Sequence, residues 1–113
     1  MNFNHAIFGG RLTADAKVIE NTANPFTSFT IAVNDSYEDR HGHTVETADF
    51  IRVTINGVKR APYLKKGNQV LVGGKVRAEY FAAEGKEPEV YLQLHATQFE
   101  FADGKKQPTE AVS

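Results

Sequence analysis

Phe50, Arg52, Thr54 and Asn56 alternate with Ile51, Val53 and Ile55. Side chains of an extended chain point to opposite faces with period two, so the β-branched set marks a buried face. Phe50 is left on the other face, beside a guanidinium. A second stretch repeats the pattern: Val70, Val72, Val76 and Tyr80 form the expected inward set, while Lys75, Arg77, Glu79 and Phe81 share the outward face. A ring standing among cations offers a π-face to another flat ring, and the cations offer charge to an anion. Unpaired nucleic acid supplies both partners, and each base stacked on an aromatic side chain contributes about 1–3 kcal/mol. Every base has a π-face, so weak sequence preference is expected. Tyr37, near Arg40 in a polar stretch, is a third candidate ring. Other readings stay open: Phe50 and Phe81 can cover a subunit or protein interface, and Tyr37 can anchor a loop.

Other chemistry finds little support. His41-Gly42-His43 places two histidines in a polar stretch without a third ligand at metal-binding spacing, so no metal is expected. His43 to Glu46 lacks the cysteine pair of a nucleobase deaminase. Gly73-Gly74-Lys75 fails the spacing of a phosphate-binding loop and falls inside a strand pattern. Ser28, Ser36 and Ser113 have no nucleophile-elbow context, and no acidic pair has a recognisable catalytic spacing. The chain is expected to be neither an enzyme nor the holder of a cofactor.

The elements that must position these residues are strands. Runs of β-branched and aromatic residues alternate with clusters of Gly, Asn, Asp and Pro, and five such runs are discernible. The first covers 2–12, with a continuation at 17–20 after an interruption at 13–16; the second covers 27–34, with Phe29, Ile31 and Val33 on one face. The polar segment 35–48 reads as a long hairpin arm or a loop. A third strand is expected at 49–57, a fourth at 69–81 and a fifth at 89–101, with a short helical turn at 58–64 limited by Pro62. Five strands with one short helix between the third and fourth, and no βαβ alternation, describe an all-β, five-stranded Greek-key barrel better than a parallel sheet.

With 113 residues there is room for one domain, expected at 1–102 and followed by a short polar tail at 103–113. The chain has no cysteine, which removes disulfides and thiolate chemistry and suits a reducing compartment. No signal-peptide pattern or membrane-spanning run is discernible, so a cytoplasmic, nucleoid-associated protein without membrane partners is expected. A formal net charge of −1 argues against a simple polycation, so any anion binding requires segregated charge.

The residues also resemble a family. Gly10-Arg11-Leu12-Thr13-Ala14-Asp15, the segment 29–34, Asp49-Phe50-Ile51-Arg52-Val53-Thr54-Ile55 and Ala61-Pro62-Tyr63-Leu64-Lys65-Lys66-Gly67 are similar to blocks of the bacterial and phage single-stranded DNA-binding proteins. The similarity continues through Gln69-Val70-Leu71-Val72 and Gly74-Lys75-Val76-Arg77. It implies an OB fold and a homo-oligomer, usually a homotetramer, that wraps single-stranded DNA in replication, recombination and repair. By the resemblance, Tyr37, Phe50 and Phe81 are the stacking positions; Arg52, Lys75, Arg77, Arg11 and Asn56 are the expected phosphate or polar contacts. Asn56 stands where relatives often carry an aromatic, and the chain has no tryptophan. Residues 103–113 lack the acidic tip ending in Pro-Phe, so recruitment of repair enzymes through such a tip is not expected. The rival readings are a primosome-type accessory protein and an OB protein-interaction module.

Overall fold

The alternation of apolar residues closes into a barrel. The computed structural model describes residues 1–82 and 84–102, Phe81 by its backbone alone. Its strands are β1 (Ala6–Leu12), β2 (Lys17–Ile19), β3 (Phe26–Glu38), β4 (Thr44–Asn56), β5 (Gln69–Phe81) and β6 (Glu89–Phe101). They are ordered β1-β5-β6-β4-β3-β2, and an additional β1–β3 pairing closes the ring. All pairs are antiparallel except β4 with β6. The barrel thus has five long walls, and β2 is the expected continuation of the first run, paired along β3. The helix expected between the third and fourth expected strands is a single 3-10 turn at Ala61–Tyr63, preceding β5.

The core holds Leu12, Phe29, Ile31, Ile51, Val53, Ile55, Leu64, Val70, Val72, Leu94, Ala96 and Phe99. Burial of each branched aliphatic side chain is worth about 1.5–3 kcal/mol. Phe29 and Phe99 meet edge-on, with ring centroids 6.4 Å apart. Leu64 follows the 3-10 turn, is fully buried, and its carbonyl accepts from Ala16 N at 2.9 Å. Thr27 is the fully buried polar residue, and its hydroxyl donates to the Gly57 carbonyl at 2.8 Å. That bond offsets the cost of burying the oxygen.

Strand lengths decide where the barrel ends. β1 has 7 residues, whereas β3, β4, β5 and β6 have 13 each. The β1–β5 ladder ends with Ala6 opposite Gly74. Next to it the side chain of Asn4 replaces a strand, donating to the Val76 carbonyl at 2.7 Å and accepting from Val76 N at 3.1 Å. Beyond Ala78 and Leu92, where the pairing of β6 with β4 also ends, β5 and β6 run on as a two-stranded arm. Tyr80, expected inward, is 67% exposed, because among the described residues no layer closes over it where the arm leaves the barrel. Likewise the polar stretch after the second expected strand is an arm: β3 and β4 remain paired out to Glu38 and Thr44. Alternation without apolar residues conceals such a strand from a pattern reading. The turn at its tip is held by Asp39, whose carboxylate accepts from the backbone N–H groups of His41 and His43 at 2.9 Å each.

One irregularity reorients a whole strand. The β5–β6 register steps from Gly73 opposite Gln98 to Gly74 opposite Ala96, leaving Thr97 as an extra residue on β6. Such a bulge bends the strand and shifts its inside-outside phase. Phe99 is buried on one side of it, and Leu94 and Ala96 are buried on the other. Tyr91, Gln93 and His95 therefore face outward; without the bulge, the phase set by Phe99 would carry them inward. Gly74 permits this geometry, since a Cβ there would collide with the His95 carbonyl oxygen. Replacement of Gly74 by alanine is expected to destabilise the protein by about 1–3 kcal/mol, as for overpacking of a tight site. Gly9→Ala, whose Cβ would find only ordinary contacts, serves as control in thermal melts. Equal melting temperatures for the two variants would refute the role given to Gly74.

Candidate nucleic-acid interface

The outward faces of β3, β4, β6 and β5 form a continuous grid. Ser28 pairs with Thr54, Thr54 with His95, and His95 with Lys75. In the next row Thr30 pairs with Arg52, Arg52 with Gln93, and Gln93 with Arg77. One step further, Ala32 lies opposite Phe50 and Glu79 opposite Tyr91. Phe50 and Tyr91 line one cleft of about 490 Å3 at the barrel mouth, together with Phe8, Val33, Ile51 and Leu92.

Phe50 is 60% exposed, an unusual position for a large apolar ring. Arg52 lies beside it on the same face. Its guanidinium carbon sits 4.4 Å from the centre of the Tyr91 ring, and Nη1 donates to the tyrosine hydroxyl at 3.4 Å. This cation–π contact holds the guanidinium beside the Tyr91 ring while leaving its charge unpaired by any carboxylate among the described residues. Lys75 and Arg77 are exposed on the same face, and neither forms a salt bridge among the described residues. A smaller cleft of about 340 Å3 opens between them and Thr54, Gln93 and His95. Thr54 Oγ1 and His95 Nδ1 share a hydrogen bond of 3.2 Å.

Four of the expected site residues, Phe50, Arg52, Lys75 and Arg77, thus come together on one face. Asn56 is exposed on the same phase of β4 but at its far end, opposite Phe26. Arg11 is exposed on β1, in register with Ala32, and spends one N–H on the Gly67 carbonyl at 3.0 Å. Tyr37 is 57% exposed on the β3–β4 arm, opposite Val45 and on the strand phase of Val33, not that of Ala32 beside Phe50. It stands apart from the grid. The backbone of Phe81 ends β5 opposite Glu89, and its side chain lies outside the described residues. So does the expected tail at 103–113.

Sequence reasoning missed Tyr91, Gln93 and His95. Their signal was present, since Leu92, Leu94 and Ala96 form an inward set that leaves these three on the other phase. Phe99 and Phe101 carry the opposite parity in the same run, and only the bulge reconciles the two. Among the described residues no group of three or more His, Cys, Asp or Glu side chains is placed to hold a metal ion, and no helix is long and apolar enough to cross a membrane.

Residues 3–102 match the model of the Single-strand binding protein family. A single-stranded DNA-binding protein of Thermotoga maritima is 33% identical over 115 residues, covering 98% of this chain and 80% of the relative. Single-stranded DNA-binding protein 1 of Clostridium acetobutylicum is 30% identical over 109 residues, covering 92% and 97% respectively. Among solved structures, the Plasmodium falciparum SSB in complex with ssDNA superposes with a TM-score of 0.74 at 20% identity, covering 91% of this chain and 97% of that one. That likeness concerns the fold, the OB barrel described above. With the family model spanning nearly the whole described barrel, the chain belongs to the single-strand binding protein family.

Proposed function

We propose that this chain binds single-stranded DNA along the outward face of β4, β6 and β5, coating it during replication, recombination and repair without acting on it as an enzyme. The observation that carries the reading is the side-by-side placement of exposed Phe50, the Arg52–Tyr91 pair and the cations Lys75 and Arg77, without salt bridges among the described residues, on one face of an OB barrel. Phe50 and Tyr91 are rings on which bases stack; Arg52, Lys75 and Arg77 meet phosphates. Phe81, Arg11 and Asn56 extend the path as further stacking, phosphate and polar contacts, and Tyr37 offers a separate stacking position on the β3–β4 arm. Duplex DNA hides its base faces, so the platform selects unpaired strands. The protein works in the cytoplasm, at the nucleoid.

Charge segregation reconciles this with a net charge of −1. Glu38, Asp39 and Glu46 lie on the β3–β4 arm, and Asp15 pairs with Lys65 at 3.8 Å on another side of the barrel. The three cations of the grid release counterions from the strand on binding, and for single strands log K falls by about 0.7 per log unit of salt for each phosphate neutralised. A labelled oligo-dT of about thirty bases, several OB-sized sites long, is expected to bind with a salt slope of about −2 per protomer. Lys75→Ala or Arg77→Ala should each flatten that slope by about 0.7. Absence of salt-sensitive binding would remove the proposal.

Stacking is tested separately from charge. Phe50→Ala, Phe81→Ala and Tyr91→Ala are each expected to weaken oligo-dT binding by roughly 1–3 kcal/mol with thermal stability retained. Unchanged affinity in all three would mean that the rings serve some other purpose.

The protein is also proposed to assemble with copies of itself. Ile7 and Leu71 are 61% and 41% exposed on the outward phases of β1 and β5, opposite Gly73 and Gly9. The small residues leave a flat strip on which two apolar side chains stand, a surface suited to a symmetric contact. Light scattering is expected to give a multiple of the 12.5 kDa chain mass, lowered by the double substitution Ile7→Glu with Leu71→Glu. A single-chain mass for the unmodified protein would exclude the assembly.

A further inference from the structure

A carboxylate sits inside the cationic face. Glu79 is half-buried on the outward phase of β5, two residues from Arg77 and in register with Tyr91. It lines the 340 Å3 cleft together with Lys75, Arg77, Gln93 and His95. It makes no ion pair among the described residues, so Arg77 does not neutralise it there. In a groove that only held phosphates, such a group would repel the ligand. Its presence makes sense against a hydrogen-bond donor on the strand.

The remaining polar groups of the cleft define what that donor belongs to. Asn4 already spends both ends of its amide on the Val76 backbone, and Thr54 is engaged with His95 Nδ1. Left facing the cleft are an acceptor-only group, Glu79, and donors on Lys75, Gln93 and Arg77, the last two being neighbours in register and nearer to Glu79 along the strands. Cytosine carries the complementary order along one edge: a donating N4 amino group, then the accepting N3 and O2. Thymine places the O4 acceptor where cytosine has N4, against the carboxylate. A base stacked against Tyr91 brings its edge toward Glu79, the register neighbour of that ring.

We propose that this cleft is a base-reading subsite for cytosine, with Glu79 accepting from N4 and Gln93 and Arg77 donating to N3 and O2. The subsite rests on the single-strand binding reading above and adds a graded base preference to stacking that accepts any base. Its signature separates hydrogen bonding from bulk charge. Removing a negative charge favours every polyanion, whereas losing an acceptor penalises only the strand that used it.

The test is a set of anisotropy titrations with labelled dC and dT oligomers of equal length at one salt concentration. Glu79→Gln keeps the side-chain shape, removes the charge that strengthens the bond to N4, and turns one carboxylate acceptor into an amide donor that thymine O4 can use. It is expected to tighten dT binding while dC binding gains little or weakens, so that the ratio of dT to dC dissociation constants falls roughly five-fold, the scale of one net hydrogen bond. Gln93→Ala, which changes no charge, should lower the same ratio. Equal tightening of both strands by Glu79→Gln, or an unchanged ratio in both variants, overturns the subsite and leaves single-strand binding intact. Failure of the unmodified protein to bind either oligomer overturns the binding reading, and the subsite with it.

Discussion

The approach of β5 to the β6 carbonyls at Gly74 is the contact on which the outward face depends. At that point the register slips by one residue, and a side chain on Gly74 would occupy the space of the His95 carbonyl. On one side of the slip β6 buries Phe99; on the other it buries Ala96 and Leu94. The same strand thereby satisfies the core twice with opposite parities, and Tyr91, Gln93 and His95 are turned out toward Arg52, Lys75 and Arg77. Gly10 plays a related part at the closure of the barrel, where a Cβ would lie 2.5 Å from the Ala32 carbonyl oxygen. Backbone-to-backbone contact without side chains lets a small barrel close tightly and bend its strands sharply.

The face created in this way combines two interactions with different reach. In the proposed binding mode, stacking on Phe50 and Tyr91 is short-ranged and insensitive to salt, while the field of Arg52, Lys75 and Arg77 draws a polyanion in and weakens as salt rises. The guanidinium of Arg52 joins them, since it lies over the Tyr91 ring and still presents its charge outward. Against this background Glu79 is informative because it runs counter to the field. A protein that needed only phosphate affinity would place a neutral or cationic residue there.

Much of this was legible in the residue pattern. Strict alternation at Ile51, Val53 and Ile55 placed Phe50 and Arg52 outside, and the structure finds Phe50 60% exposed. The expected fourth and fifth strands coincide with β5 and β6, because their ends carry Gly, Asn and Pro. Tyr80 was misplaced since its parity matches Val76, but parity says nothing about where the opposing layer stops. Tyr91 was overlooked because the apolar residues of its strand disagree in phase across the bulge.

Local pattern therefore determined the secondary structure, the barrel class and the identity of a ring-and-cation strand face, since each follows from steric alternation and turn chemistry within a few residues. Tertiary structure decided which strands lie side by side, where β1 ends and the arms begin, and which way β6 faces beyond Thr97. Those depend on backbone contacts between residues distant in the chain, such as Gly74 with His95 and Asn4 with Val76. The physical reason is that strand phase is a local property, whereas strand register is set only when two segments meet.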